Sequence, residues 1–310
     1  MCAILWKQEA EREEEEGEKS WKWGSKGNIG YGILVKLDTV RWAKLRIFGT
    51  VVAGSPHEPM TRSISCDLER RGFVVFVTVS SAEEDHMVQS ENRTDIRPLW
   101  IDLTTSPMPG VPPHTSQLSG LVVIPSSHYM TGPVATIPQS TWADTVNTRI
   151  LSPVLLTQLF LPLLTLRSNP SNIVFVYPSI SSSLSAPFAG PEVATTRALS
   201  GFATSLRTEL GLLQQGNISV VEVKVGNVDL SAFSRHGHSR MAGTEVLTWS
   251  PQQRALYGPQ YLSSIEQRPV ASAGPATVRG SPARHLHHAV LDALEPPSKS
   301  ILGGKTRKTP

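Results

Sequence analysis

The chain has 310 residues, 39% of them hydrophobic, which excludes a disordered composition and leaves room for one large α/β domain or two small ones. A formal net charge of +3 is too small at this length to mark a nucleic-acid partner. Two cysteines, Cys2 and Cys66, without CxxC or Cys/His spacing, exclude a disulfide framework and a zinc site.

Such thiol usage belongs to a reducing compartment. No continuous apolar run reaches the roughly 18–20 residues that cross a bilayer, and residues 150–164 read as a buried amphipathic helix. The N-terminus passes from a short apolar start straight into glutamates, unlike a secretory signal. A cytoplasmic protein with no membrane span is expected.

Residues 1–45 set Trp6, Trp21 and Trp23 around an acidic run at 9–18, with no sustained period of 2 or 3.6. They read as a disordered or poorly packed N-terminal extension, a solvated charged arm, or an artefact of reading-frame assignment. From Thr50 short β-branched runs alternate with helical stretches. Strands are expected at 50–54, 73–79, 97–103, 120–124, 172–177 and 218–225, with helices at 60–71, 141–166 and 195–213. The run at 73–79 is continuously apolar, as a strand covered on both faces should be. Residues 231–280 loosen into Ser, Gly, His and Arg, where a substrate-covering loop would fall. Order returns in a helix at 282–294 and a short strand at 300–302, before a basic tail at 305–310. Strand and helix in alternation imply right-handed crossovers, a doubly wound parallel sheet over 46–304, and ligands at the carboxyl ends of its strands.

Several segments carry a resemblance. Val52-Ala53-Gly54 through Glu69-Arg70-Arg71-Gly72 looks like a first strand, turn and helix, and Trp142 with 155–163 like a long interface helix. Ile173-Val174-Phe175-Val176, residues 199–210, and 281–294 with Ile301-Leu302-Gly303-Gly304-Lys305 continue the series. In this order and spacing the chain resembles the short-chain dehydrogenase/reductase superfamily, a Rossmann-type NAD(P)-binding fold, and is similar to a fungal group of degenerate members with no assigned function. The C-terminal segments look like those of retinol- and steroid-dehydrogenase-like members.

The resemblance implies a Tyr as general acid/base, a Lys four residues later that lowers its pKa, a Ser and an Asn. Here the Lys position falls on Arg197 and the Tyr position on Val193, which has no proton to give. The Ser position falls on Pro178 or Ser179, and the Asn position on Arg149, with Asn147 a decoy two residues away. Of the glycines that let backbone N–H groups approach a pyrophosphate, Gly54 alone survives in Gly54-Ser55-Pro56-His57-Glu58-Pro59-Met60. Two prolines remove donors there, and unless the loop turns it outward Glu58 would meet phosphate charge. Like charges ~4 Å apart repel by roughly 4 kcal/mol at an effective dielectric of ~20.

Asp102 matches the residue that contacts adenine, or is a strand-end Asp capping a turn. Val123-Ile124-Pro125-Ser126 replaces the family's NNAG segment, and Ser80-Ser81 offers neither an acid for a ribose hydroxyl nor an arginine for a 2′-phosphate. No cofactor is expected, or NAD or NADP if any binding survives. Arg149 and Arg197 would both approach the cleft and could hold an anion. Alternatively, Arg197 pairs with Glu192 or solvent and Arg149 caps a helix turn. The serines at 179–185 read as loop chemistry without a Gly-x-Ser-x-Gly turn, and His285, His287 and His288 as solvent-exposed rather than metal-binding.

Two functions follow. One is a non-catalytic binding or scaffold protein, with an unknown protein partner and a homodimer formed through helices 141–166 and 195–213, where family members commonly dimerise. The other is an NAD(P)-dependent oxidoreductase using a different acid, such as Tyr177, Tyr129 or Ser179, with Tyr177 favoured by its place at a strand's carboxyl end.

Overall fold

The computed structural model describes residues 49–101, 118–127, 129–165, 170–213, 218–233, 244–266 and 280–295, all within the compact unit Leu45–Pro310. The expected N-terminal extension, Asp102, the strand at 300–302 and the basic tail lie outside them.

Valine-rich runs supply the sheet. β1 (Gly49–Ala53), β2 (Val74–Val79), β3 (Ile96–Trp100), β4 (Leu118–Val123), β5 (Ser171–Pro178) and β6 (Ile218–Val225) pair in the order β3-β2-β1-β4-β5-β6. Every pairing is parallel. The order reverses between β1 and β4, so their carboxyl ends diverge and open a crevice.

Side-chain alternation sorts the core into two layers. Val52, Val122, Val174 and Val176 face α1 (Pro59–Arg70) and the C-terminal helix. Val51, Ala53, Leu121, Val123, Ile173, Phe175 and Tyr177 face the opposite layer. That second layer holds α3 (Gln139–Val146), a wide π turn (Asn147–Leu151) and α4 (Ser152–Thr165), one continuous helix, beside the later helix α6 (Gly190–Leu212). By length and composition Gln139–Thr165 could cross a membrane. Its apolar side packs on the sheet through Leu156, Phe160 and Leu164, and Arg149 is buried within it.

Three helices in the structure have no counterpart in the sequence reading. α2 (Ala82–Ser90) follows Ser81, whose hydroxyl accepts the Glu84 N–H at 3.2 Å. α5 (Ile180–Leu184) occupies the serine loop. α7 (Pro251–Glu266) crosses the segment expected to be loose. α2 carries the Ser81 cap alone, its Glu84 side chain reaching back to Ser80, whereas α7 opens with a full capping box. In α7 the Ser250 hydroxyl accepts from Gln253 N (3.2 Å) while the Gln253 side chain accepts from Ser250 N (3.0 Å), with Pro251 at the first helical position. Their weak apolar periodicity hid them; their caps did not.

α6 begins five residues before the expected start at 195, because Gly190 and Pro191 fill its first turn rather than a loop. After β6 come β7 (Val228–Asp229) and β8 (Ser281–Pro282), a short parallel pair, and α8 (Ala283–Leu294). α8 buries Leu286, Val290 and Leu294 against the first layer, and Asn172 Nδ2 donates to the Leu294 carbonyl at 2.8 Å.

Ile173 is fully buried in the central strand β5. Ile173→Ala should lower unfolding stability by roughly 2–5 kcal/mol, measured as a urea midpoint shift without loss of helical circular dichroism.

Candidate functional site

The crevice between β1 and β4 begins with the turn 54–58. Gly54 N donates to Thr78 Oγ1 at 3.1 Å, and a Cβ on Gly54 would stand 2.8 Å from Thr61 Oγ1 and 3.0 Å from the Ile124 carbonyl oxygen. Glycine is therefore required here for the close approach of the turn to α1 and to the chain just past β4. Glu58, at the position before α1, is only 4% exposed. It turns inward rather than toward solvent. Its carboxylate accepts the Ser127 N–H at 2.8 Å, the Ser126 hydroxyl at 3.3 Å and the Ser127 hydroxyl. The first turn is thereby laced to the end of β4.

A second carboxylate ties the same turn to β2. Glu84 accepts the Ser55 hydroxyl at 2.6 Å, the Ser80 N–H at 2.8 Å and the Ser80 hydroxyl at 3.0 Å. Burial opposes its charge, but the hydrogen bonds from Ser55 and Ser80, helped by His57, outweigh burial and hold its pKa below the ordinary value.

Deeper in the crevice Arg149 is 2% exposed. Its Nε donates to Thr195 Oγ1 at 2.9 Å, Nη2 to Thr196 Oγ1 at 3.3 Å and Nη1 to the Ser126 carbonyl, and the guanidinium lies 5.0 Å over the Tyr129 ring. Burial lowers its pKa, opposed by Glu192, Tyr129 and Glu58. Glu192, one turn before Thr195 and Thr196, is also buried, and its Oε2 has no hydrogen-bond partner.

The expected two-arginine cleft is corrected. Arg197 is exposed and donates to the Ser182 carbonyl at 3.1 Å and Ser185 Oγ at 2.6 Å. α5 draws it outward, and it pairs neither with Glu192 nor with the ligands of Arg149. Nor does Arg149 cap a helix turn; its donors go to another strand end and another helix. Asn147 is exposed on the π turn. Val193 is half-buried in the first turn of α6. At the end of β5, Pro178 is half-buried and Ser179 sends both N–H (3.0 Å) and hydroxyl (3.5 Å) to the Val225 carbonyl.

Tyr177 is also corrected. Alternation along β5 places it with Ile173 and Phe175 on the α4–α6 face, 1% exposed. Its hydroxyl donates to Glu222 Oε2, which also receives the Ser200 hydroxyl at 2.7 Å. Burial and the bond to Glu222 push the phenol up to about 12. This is a packed hydroxyl, not an acid in the crevice, and the parity of 173, 175 and 177 was readable from the sequence. Asp102 lies outside the described residues.

Within the segment expected to be loose, α7 packs through Tyr261 on the loop after β4. Tyr261 is fully buried, its hydroxyl 2.7 Å from Thr131 Oγ1, with Phe188 edge-on at 5.5 Å and Trp249 at 5.0 Å. α7 is thus fastened to the loop that carries Tyr129.

Strand order, crossover helices and a crevice at the switch point define a Rossmann fold of the short-chain dehydrogenase/reductase type. An NADPH-bound short-chain oxidoreductase from Pseudomonas aeruginosa PAO1, described as containing an atypical catalytic center, superposes with a TM-score of 0.55 at 16% identity over 82% of this chain and 92% of its own. An actinorhodin polyketide ketoreductase variant with NADPH gives 0.56 at 18% identity, with the same coverage of both chains. The chain belongs to a fungal family of unknown function, DUF1776, matched over residues 50–306. It is 27% identical over 203 residues to the UPF0744 protein C106.03 of Schizosaccharomyces pombe, covering 62% of this chain and about half (53%) of that protein.

Because the Tyr177 phenol is held protonated, it stabilises the fold fully below about pH 10, the unfolded value. That contribution is lost as pH rises toward the folded value of about 12. Tyr177→Phe should flatten this alkaline loss in thermal unfolding scans, at a neutral-pH cost of about 1 kcal/mol.

Proposed function

We propose that this chain is a Rossmann-fold binding or scaffold protein that performs no hydride transfer. The observation that carries the reading is self-occupation of the crevice: Glu58 takes the Ser127 N–H, and Arg149 fills the space bounded by Ser126, Thr195 and Tyr129. A dinucleotide needs free N–H groups and room for two negative phosphates. Here Pro56 and Pro59 lack N–H groups, and two anchored carboxylates, Glu58 and Glu84, line the turn. These residues do not fit a pyrophosphate. Val193, Arg197 and Arg149 stand where the resemblance implies Tyr, Lys and Asn, so the chemistry has no general acid among them. The thiol usage supports a cytoplasmic location.

The second reading, an NAD(P)-dependent oxidoreductase with a non-standard acid, draws support from solved structures of like fold that hold NADPH, one of them with an atypical catalytic center. With Tyr177 turned away, its candidates here are Tyr129 and Ser179. Calorimetric and thermal-shift titration with NAD, NADH, NADP and NADPH separates the two. A Kd below about 100 μM would raise the melting temperature at millimolar ligand through mass action. No shift with any of the four is expected; a shift with one would displace the scaffold reading.

Self-association belongs to the same proposal. The continuous helix Gln139–Thr165 is long and apolar, yet Val146 and Leu151 are exposed on it, and α6 beside it ends in exposed Leu212. A second copy of this chain, packed helix against helix, would cover that surface. Sedimentation velocity should show a dimer for the wild-type chain and a monomer for Leu151→Arg; a wild-type monomer would count against the homodimer.

A further inference from the structure

His287 is not solvent-exposed as its setting in the sequence suggested. On α8 it faces α1, where its Nε2 lies 2.7 Å from Ser63 Oγ and its Nδ1 3.3 Å from Asp67 Oδ1. The other Asp67 oxygen accepts from Arg71 Nε at 2.6 Å. Phe233, from the turn after β7, stands edge-on to the ring at 6.4 Å, and its carbonyl accepts from Arg62 at 2.8 Å. One imidazole thus joins the C-terminal helix, the first helix and the turn between them.

The connectivity is that of a nucleophile, a base and an acid, but Ser63 is fully buried beneath α8 in mid-helix. No substrate reaches its hydroxyl, so the cluster is not a hydrolytic site. It is a hydrogen-bonded joint that suits one protonation state. In the neutral ring with its proton on Nδ1, facing Asp67 across 3.3 Å, Nε2 is left as the acceptor for the buried Ser63 hydroxyl. Protonated, Nε2 becomes a donor, and two hydrogens face each other unless Ser63 turns away. The charged groups around the ring are Asp67, Arg70 and Arg71 on α1 and His288 on α8, with Arg62 held on the carbonyl of Phe233 beside it. Asp67, the one carboxylate against the ring among the described residues, is already shared with Arg71. The balance disfavours a second positive charge.

We infer that His287 is a proton-sensitive latch: neutral, it holds α8 on α1, and on acidification it loosens α8 from the sheet face of Val52, Val122, Val174 and Val176. Burial pushes the imidazole pKa down, opposed by Asp67 and reinforced by Arg71, Arg70 and His288. A folded value below the unfolded one means the docking energy is intact above the unfolded His pKa of about 6.5 and is lost as pH falls through the folded one.

Hydrogen exchange of the 283–294 amides in the full chain, corrected for intrinsic rates, tests the latch at about pH 7.5 and about pH 5.5. The wild-type chain should exchange several-fold faster in this segment at the lower pH, and His287→Gln should lose that difference. Equal protection at both values, or an unchanged difference in His287→Gln, overturns it. Exchange at the imidazole C2 position needs no variant. It should give His287 a midpoint below the unfolded imidazole value of about 6.5, and an equal or higher midpoint overturns the proposal.

Discussion

A parallel sheet covered by helices on both faces has no wet side on which to put polar chemistry. The layers on either side of β1, β4 and β5 are hydrocarbon, and only the strand ends remain. At the point where strand order reverses, two of those ends part and leave backbone donors and acceptors facing a gap. Whatever fills the gap must satisfy them at low dielectric, where an unpaired polar group is costly. The polar architecture at the ends of β1 and β4 follows from that demand.

The chain meets it with its own side chains. A guanidinium at 149 brings up to five donors, and its partners are neutral: two threonine hydroxyls, a carbonyl and an aromatic face. The charge is balanced less by contact than by the carboxylates of Glu58 and Glu192 in its surroundings. Glu58 in turn spends its oxygens on Ser126 and Ser127, so the end of β4 is held from both sides by groups of opposite sign. Removing one partner of such an arrangement leaves the other buried and unsatisfied. The site is a mutually dependent set.

Much of the sheet was legible in the sequence because its strands are continuous valine-rich runs: β6 is found at the residues expected, and the other strands within a few residues. The helices α2 and α7 were not. Their apolar periodicity is weak, and they are announced instead by Ser-x-x-Glu and Ser-x-x-Gln at 81–84 and 250–253. At the site, positions along the chain were legible and directions were not. Arg149 and Arg197 could be placed near one cleft, but whether each points in or out depends on α5, which supplies the Ser182 carbonyl and Ser185 hydroxyl that draw Arg197 away. Tyr177 is the opposite case, since two-residue alternation from Ile173 already fixes its face. His287 was hidden because its partners, Ser63 and Asp67, lie more than two hundred residues away along the chain and become neighbours only when α8 docks.

The π turn at Asn147–Leu151 changes how the long helix should be thought of. Such a turn carries one residue more than an α turn, so α3 and α4 are out of phase by about 100° of rotation. The stripe that α4 lays on the sheet cannot be extrapolated back through α3, and Arg149 owes its inward aim to lying within the offset. The length of this segment therefore matters as much as its composition. Deleting a single residue between 147 and 151 would let the helix run on as an unbroken α-helix, both halves keeping their faces and only the widened turn lost. Arg149 would lose the widened turn from which its guanidinium reaches Ser126, Thr195 and Thr196.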